Sequence, residues 1–549
     1  MTSHSKPHRN PWRALLAILG LAMLVCSAWA VHVTAMTHHT IYVTAGGCTT
    51  PITVVEPDLD QPIASVIMLH GLAANRRVMN YLADQLAFDG GFRVYVLDLA
   101  GHGDNTSPFS FYSAENCAGA VVAQLISSRA IDPKNTAYVG HSLGAIIAIR
   151  LADREPLAGT VAISPGPVVL PKRMPSNLLV LTGSLDIPRL KSAALSLSTA
   201  AGGDRVSVDD FLQQRAFLLD AVPRASHTSL LANQQVEDDT RDWVVNSTEA
   251  AIGDADGVVD WKTRAGFTAE QPQPSLRAAL GRVWYAALRL APFWGLAGLL
   301  LVCPLLLAIA SKFSSAESES ADSPRSSQSP ASSAAKTPSP FLALLEWAVC
   351  SLLAVLILIF FSPMHFLRLF SAGYLASFLL LVGLFIALLN SSSWLANFRW
   401  TAPLTLSTIV VSLLIFLSIG AWANWQLFDL WMNPPRWLRF FGFLPAAWLY
   451  FYAEEIVLGP VRSGWRRASR FLLFLLLRLI VLGACAVGVF WLSSGAILIL
   501  LLAGFLAIAS VLIRLGSDSL RHRSGSATAA ALFGAILASW IAVAVFPLT

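Results

Sequence analysis

The run Ala137-Tyr138-Val139-Gly140-His141-Ser142-Leu143-Gly144-Ala145-Ile146-Ile147-Ala148 joins two apolar patterns through a five-residue hinge. Before the hinge, Ala137–Val139 reads as a short buried strand; after it, Ala145–Ala148 reads as the opening of a helix. A G-x-S-x-G between strand and helix is a nucleophile elbow, in which Gly140 and Gly144 permit a turn sharp enough to present the Ser142 hydroxyl at the edge of a sheet. The helix N-terminus beyond the serine supplies N–H groups and a positive dipole end where negative charge would develop.

On either side of the hinge, short β-rich runs alternate with helical patterns: Ala64–Leu69, Arg93–Leu97, Thr136–Val139, Thr160–Ile163, Leu178–Leu181 and Arg215–Leu219. That alternation predicts a mostly parallel sheet covered by helices on both faces. A serine hydroxyl is a weak nucleophile without a base, and the base needs an orienting acid. Asp186 follows the run Leu178–Leu181, and His227 follows the run around Phe217–Leu219. Upstream, Leu69-His70-Gly71-Leu72 ends another strand and offers a second backbone N–H to an oxyanion.

These residues together resemble the α/β-hydrolase family over residues 33–250, about two-fifths of the chain. Asp98-Leu99-Ala100-Gly101-His102-Gly103 is similar to the family's loop after its fourth strand. The resemblance implies a doubly wound α/β fold with Ser142 as nucleophile, His227 as general base and Asp186 as its orienting acid. It also implies an oxyanion hole from the N–H groups of Leu143 and Leu72. His70 and His102 are expected to shape loops, and His141, inside the elbow, to tune the site's rim. Only Pro165 to Asn177 separates Ser164 from the next strand, too short for a lid domain. The expected enzyme is therefore a lidless serine esterase with an open site.

The rest of the chain is of another kind. Of 549 residues, 55% are hydrophobic and 13% charged, with mean hydropathy +0.60. That is about half the charge density of an ordinary soluble domain, which excludes a wholly soluble protein and a disordered one. Six cysteines in this length also exclude a disulfide-rich miniprotein. The net charge of +5 divides unevenly, with −6 over residues 33–285 and +11 over the remainder. Lys6, Arg9 and Arg13 precede an apolar run from Ala14 to Val31, so residues 1–32 read as a signal anchor or a signal peptide, with Ala28-Trp29-Ala30 as the cleavage pattern. Either way the domain that follows is expected to lie outside the cytoplasm. There Cys48 and Cys117 are free to form a disulfide, since the other four cysteines fall in apolar spans.

Residues 251–287 read as a membrane-proximal linker, 288–310 as a transmembrane helix, 311–340 as a disordered Ser/Pro/Ala-rich linker, and 341–549 as a multi-span region. Within the last, apolar runs at 341–361, 367–389, 402–423, 440–458, 471–489, 491–513 and 527–547 bring the expected number of spans to nine. With the amino terminus inside, Arg462, Arg466, Arg467 and Arg470 form one cytoplasmic basic loop, and Arg514, Arg521 and Arg523 another. Charges inside spans are costly, so Glu454 or Glu455 is expected to pair with Arg478 at similar depth in the next, antiparallel span. Tandem glutamates also occur in CAAX-type membrane proteases as Glu-Glu-x-x-x-Arg, but position 459 is Gly and no later span holds a His. No metal-ligand spacing, cofactor-binding loop or nucleic-acid surface is present, so the expected partners are an ester substrate and the lipid bilayer. Rival readings are an acyltransferase using the same triad, or a transporter or sensor with an accessory hydrolase domain.

Overall fold

The computed structural model describes residues 11–34, 36–169, 173–259, 261, 290–303, 339–361, 366–398, 400–426, 428–461, 465–492 and 502–549. The chain divides into two compact units. One comprises Ala28–Pro292, Ala423–Asp429 and Pro547–Thr549, and the other Met1–Ser27, Phe293–Trp422 and Leu430–Phe546.

The first unit is built on one eight-stranded sheet. Its strands are β1 (Thr37–Ala45), β2 (Cys48–Glu56), β3 (Ser65–Leu69), β4 (Arg93–Leu97), β5 (Thr136–His141), β6 (Gly159–Ile163), β7 (Leu178–Gly183) and β8 (Phe217–Val222). They lie in the order β1-β2-β4-β3-β5-β6-β7-β8, parallel from β4 through β3 to β8, with β1 and β2 antiparallel at one end. The six parallel strands are the six read from sequence, with β8 beginning two residues later and running on to Val222. The β1–β2 hairpin is an addition to that reading. Its turn is Gly46-Gly47, both at positive φ, which any other residue would adopt only under strain.

Successive residues in the central strands face opposite ways, and both ways lead into a core. Ala137, Val139, Val161, Ile163, Leu179 and Leu181 face one core with helices α2 (Asn80–Gly90) and α7 (Gln234–Ile252). Ala162, Leu178 and Val180 face the other, against α4 (Leu143–Leu151) and α5 (Pro188–Ala201). Burial on both faces is what a parallel sheet requires, and it explains why these strands are continuous apolar runs. Helices α3 (Phe111–Ser127) and α6 (Val208–Leu212) complete the layers.

The core also runs past residue 250, since Val258 is buried in it and Trp261 packs on Phe211 and Trp243. The opening of the segment read as a linker thus belongs to this unit. The remainder of that linker and nearly all of 311–340 lie outside the described residues.

Cys48, at the start of β2, is joined to Cys117 in α3 by a disulfide with a Cα–Cα separation of 5.7 Å. That separation is within the range the bond demands. Intact mass of the non-reduced protein is expected to show one internal disulfide. Two free thiols at Cys48 and Cys117 would be the contrary result.

In the second unit, α1 (Pro11–Thr34) crosses α8 (Ala291–Cys303) at two glycines, so that a Cβ added at Gly298 would sit 2.5 Å from the Gly20 carbonyl. The remaining helices are α9 (Pro340–Phe360), α10 (Ala372–Leu389), α11 (Ser391–Asn397), α12 (Ala402–Gln426), α13 (Pro434–Leu458), α14 (Trp465–Leu492), α15 (Ala503–Ser524) and α16 (Ala527–Val545). Six stretches among the described residues are long and apolar enough to cross a membrane: Ala14–His32, Pro340–Phe360, Ala372–Leu389, Ala402–Trp425, Trp465–Cys485 and Ala527–Val545. Of the other three spans expected, the one at 288–310 appears as the shorter α8, while those at 440–458 and 491–513 fall on α13 and α15. Residues 493–501 lie outside the described residues.

Helices α13 and α15 carry a group of buried charges that pair with one another and with α14. Arg478 Nη2 lies 2.8 Å from Glu454 Oε1, the interhelical pair expected from sequence. Glu455 is met by Arg470 at 3.0 Å, by Arg514 at 2.5 Å, and by Arg521. Asp518 in turn holds Arg470 and Arg514. Arg470, Arg514 and Arg521 were expected in cytoplasmic loops, but α14 begins at Trp465 and α15 runs to Ser524, which brings all three into the helical packing. Each is at most 6% exposed.

Candidate active site

Ser142 stands between β5 and α4 with φ 55° and ψ −112°, a backbone conformation that non-glycine residues rarely adopt. Its neighbours make that turn possible. A Cβ on Gly144 would lie 2.1 Å from the Leu69 carbonyl oxygen, and one on Gly140 would lie 2.3 Å from that of Gly144. No side-chain movement relieves contacts with backbone, so both positions exclude every larger residue. The turn is fixed to the sheet by the Ser142 N–H, which donates to the Ile163 carbonyl at 2.9 Å.

All three candidate triad residues lie at the carboxyl edge of the parallel strands. Asp186 follows β7 and His227 follows β8, and the structure brings these two together, with His227 Nδ1 3.3 Å from Asp186 Oδ1. Asp186 is 4% exposed. Burial works to raise its carboxyl pKa, but hydrogen bonds from His227, Ser164 and the Ile187 N–H outweigh it and hold the group below the ordinary carboxylate range. His227 in turn is placed against the elbow. His141 Nε2–H donates to the His227 carbonyl at 3.0 Å, and the two imidazole rings lie 4.7 Å apart.

His141 is therefore not at the rim. It is 5% exposed, and burial beside His227 pushes its pKa down to about 3, so it serves as a neutral strut under the His227 loop.

The loop after β3 passes close to the serine: a Cβ on Gly71 would be 3.2 Å from Ser142 Cβ. Two buried histidines shape it. The Leu99 N–H donates to His70 Nε2 at 3.0 Å, so the proton sits on Nδ1, which donates to the Gly71 carbonyl at 2.8 Å. His102 repeats the arrangement, accepting from the Ala73 N–H at 3.2 Å and donating to the Ala100 carbonyl at 2.8 Å. Burial holds His70 below its usual pKa, in keeping with a neutral ring. Leu72 lies between these two anchored residues. Leu143, as the first residue of α4, has an N–H with no helical carbonyl to reach.

Two residues of this region were not singled out from sequence. Arg76, 2% exposed, pairs with the fully buried Asp98, reaches Asp104 at 2.8 Å and donates from Nε to Thr53 at 3.0 Å. It thereby clamps the loop after β3 to the loop after β4. Ser164, at the end of β6, donates through Oγ to Asp186 Oδ2 and lies 2.9 Å from His227 Nδ1.

Residues 64–199 match the sequence model of the α/β hydrolase fold. This unit has the α/β-hydrolase fold. Two curated relatives, the uncharacterized proteins MT2364 and Rv2307c of two Mycobacterium tuberculosis strains, are each 31% identical over 168 residues. The match covers 29% of this chain and 59% of theirs, so the chain spans about three-fifths of the length of these relatives.

Among solved structures, an esterase/lipase from an uncultured bacterium is 14% identical (44% of this chain, 98% of that one, TM-score 0.31). An esterase from Pyrobaculum calidifontis is 15% identical (45% and 100%, TM-score 0.32). An α/β serine hydrolase without lid from Xanthomonas campestris is 18% identical (39% and 95%, TM-score 0.30). In the α/β-hydrolase unit of the present chain, the described residues between β6 and β7 form no helix or strand.

Proposed function

We propose that this protein is a multi-pass membrane serine hydrolase that cleaves carboxylic esters through an acyl-enzyme, with its α/β-hydrolase unit outside the cytoplasm. The observation that carries the reading is the Asp186–His227 pair held against a strained serine elbow at the carboxyl edge of the sheet. Nδ1 of His227 faces Asp186 and Ser164, which leaves Nε2 to take the Ser142 proton as Oγ attacks the ester carbonyl. The Leu143 and Leu72 N–H groups receive the oxyanion, and the imidazolium returns its proton to the leaving alcohol. Water, activated by the same imidazole, then releases the acid. No cofactor enters this scheme.

Placement outside the cytoplasm is supported by the Cys48–Cys117 bond, since disulfides persist in oxidising compartments. It is supported too by the basic residues that precede α1. Retention of α1 as an anchor is supported by its glycine-to-glycine crossing with α8, which a cleaved signal would not need.

The test is labelling of intact cells with a membrane-impermeant fluorophosphonate. Modification at Ser142 is expected without permeabilisation. Labelling that survives Ser142→Ala would overturn the nucleophile assignment, and labelling only after lysis would overturn the placement.

A further inference from the structure

We propose that Ser164 is a positioning residue for the His227–Asp186 pair, its hydroxyl accepting a hydrogen bond from His227 Nδ1–H and donating one to the Asp186 carboxylate. The inference rests on the reading of Ser142, His227 and Asp186 given above.

Three observations converge on this side chain. Its Oγ lies 2.9 Å from His227 Nδ1, closer than the 3.3 Å between that nitrogen and Asp186 Oδ1. The same Oγ donates to Asp186 Oδ2. A hydroxyl has one proton to give and lone pairs to accept with, so the two contacts fix its role: it accepts from Nδ1–H and donates to the carboxylate. Ser164 is also 1% exposed, so neither contact competes with bulk water.

The backbone adds a second line. Ser164 has φ 47°, a left-handed conformation that costs a non-glycine residue free energy and that glycine would adopt freely. A side chain kept at such a position has contacts that offset the strain. The two flanking hydrogen bonds tie this point of the chain to both neighbouring strands: the Ile163 carbonyl accepts from the Ser142 N–H at 2.9 Å, and the Ser164 N–H donates to the Leu181 carbonyl at 2.7 Å. One dipeptide, Ile163-Ser164, thus touches the backbone of the nucleophile and the side chains of both its partners.

The chemical consequence is a fixed tautomer and a moderated base. With the proton held on Nδ1, the Nε2 lone pair is aimed outward. With Ser164 interposed, the carboxylate shares its charge among the Ser164 hydroxyl, His227 and the Ile187 N–H. Removing the hydroxyl takes one donor from the carboxylate and lets Nδ1–H bond it directly. Both changes loosen the hold on the ring's tautomer and orientation.

The experiment uses the full-length protein in detergent with a short-chain p-nitrophenyl ester. Ser164→Gly is the informative variant because it relieves the backbone strain while removing the hydroxyl, and Ser164→Ala is its companion. For both, kcat is expected to fall about 10- to 100-fold with KM within twofold, the loss associated with one hydrogen bond to a charged group. A folded Ser164→Gly protein with an unchanged kcat, or one whose loss falls on KM instead, would overturn the inference. Ser142→Ala, measured in parallel, separates the cases: activity surviving there overturns the underlying reading, whereas its loss alongside an unmoved Ser164→Gly kcat overturns only the role of Ser164.

Discussion

Ser142→Ala is expected to lower kcat/KM for ester hydrolysis by about 10⁴-fold or more, leaving a residual rate that the N–H groups of Leu143 and Leu72 still support. Removing the Oγ removes the covalent route, while the elbow, the oxyanion donors and the His227–Asp186 pair remain in place. KM is expected to change little, because the hydroxyl bonds to the substrate only as the reaction proceeds. Asp186→Asn is expected to cost less than Ser142→Ala. Ser164 Oγ, 2.9 Å from Nδ1, still accepts that proton when the carboxylate is gone and so preserves the productive tautomer in part. Steady-state kinetics on the two variants check the order. An Asp186→Asn loss equal to or larger than that of Ser142→Ala would contradict it.

The second large effect lies in the helical unit. Glu455 is 1% exposed and faces Arg470, Arg514 and Arg521 at once. Glu455→Gln leaves four guanidinium groups, with Arg478, against the two carboxylates of Glu454 and Asp518. Breaking one side of a buried ion pair costs about 3–5 kcal/mol, because the surviving partner stays buried without compensation. Loss of most of the folded protein is expected, read as a fall in the thermal midpoint of the detergent-solubilised chain and in the yield of monodisperse protein. Arg466→Ala, on an exposed position of the neighbouring helix α14, is expected to change neither. A Glu455→Gln protein with the parent's midpoint would show that the network contributes little. Pairing Glu455→Gln with Arg521→Gln should recover part of the loss, since the double change removes a charge of each sign.

What the sequence discloses here follows the range of the interactions involved. The elbow is legible because its chemistry is local: two glycines, a serine, a strand before and a helix after. The six parallel strands are legible because burial on both faces makes each a continuous apolar run. The β1–β2 hairpin is not, because β1 is largely exposed, and Thr37-His38-His39-Thr40 has the composition of a loop. The signal that marks it, Gly46-Gly47 between two Thr-rich runs, is a turn signal rather than a strand one.

Ser164 escapes notice for another reason. Its partners are 22 and 63 residues away, and Ser164-Pro165-Gly166 reads as an ordinary turn. In the helical unit, depth arithmetic along two adjacent helices anticipates the Arg478–Glu454 pair. It cannot anticipate Arg514 and Asp518, which come from a third helix whose packing is a tertiary fact. Arg470 and Arg521 look like loop charges because helix ends are set by that same packing.

The Cys48–Cys117 bond encloses β3, β4 and the Gly71–Leu72 loop within one covalent ring. A protease that cuts an exposed point of the ring, such as Asp58 or Asp60 between β2 and β3, would release nothing. The two pieces would stay linked through sulfur, and the amino-terminal piece with β1 and β2 would remain paired beside the piece that carries both the Gly71–Leu72 loop and Ser142. In the proposed placement outside the cytoplasm, a nick there would be visible on a reducing gel and silent in an assay.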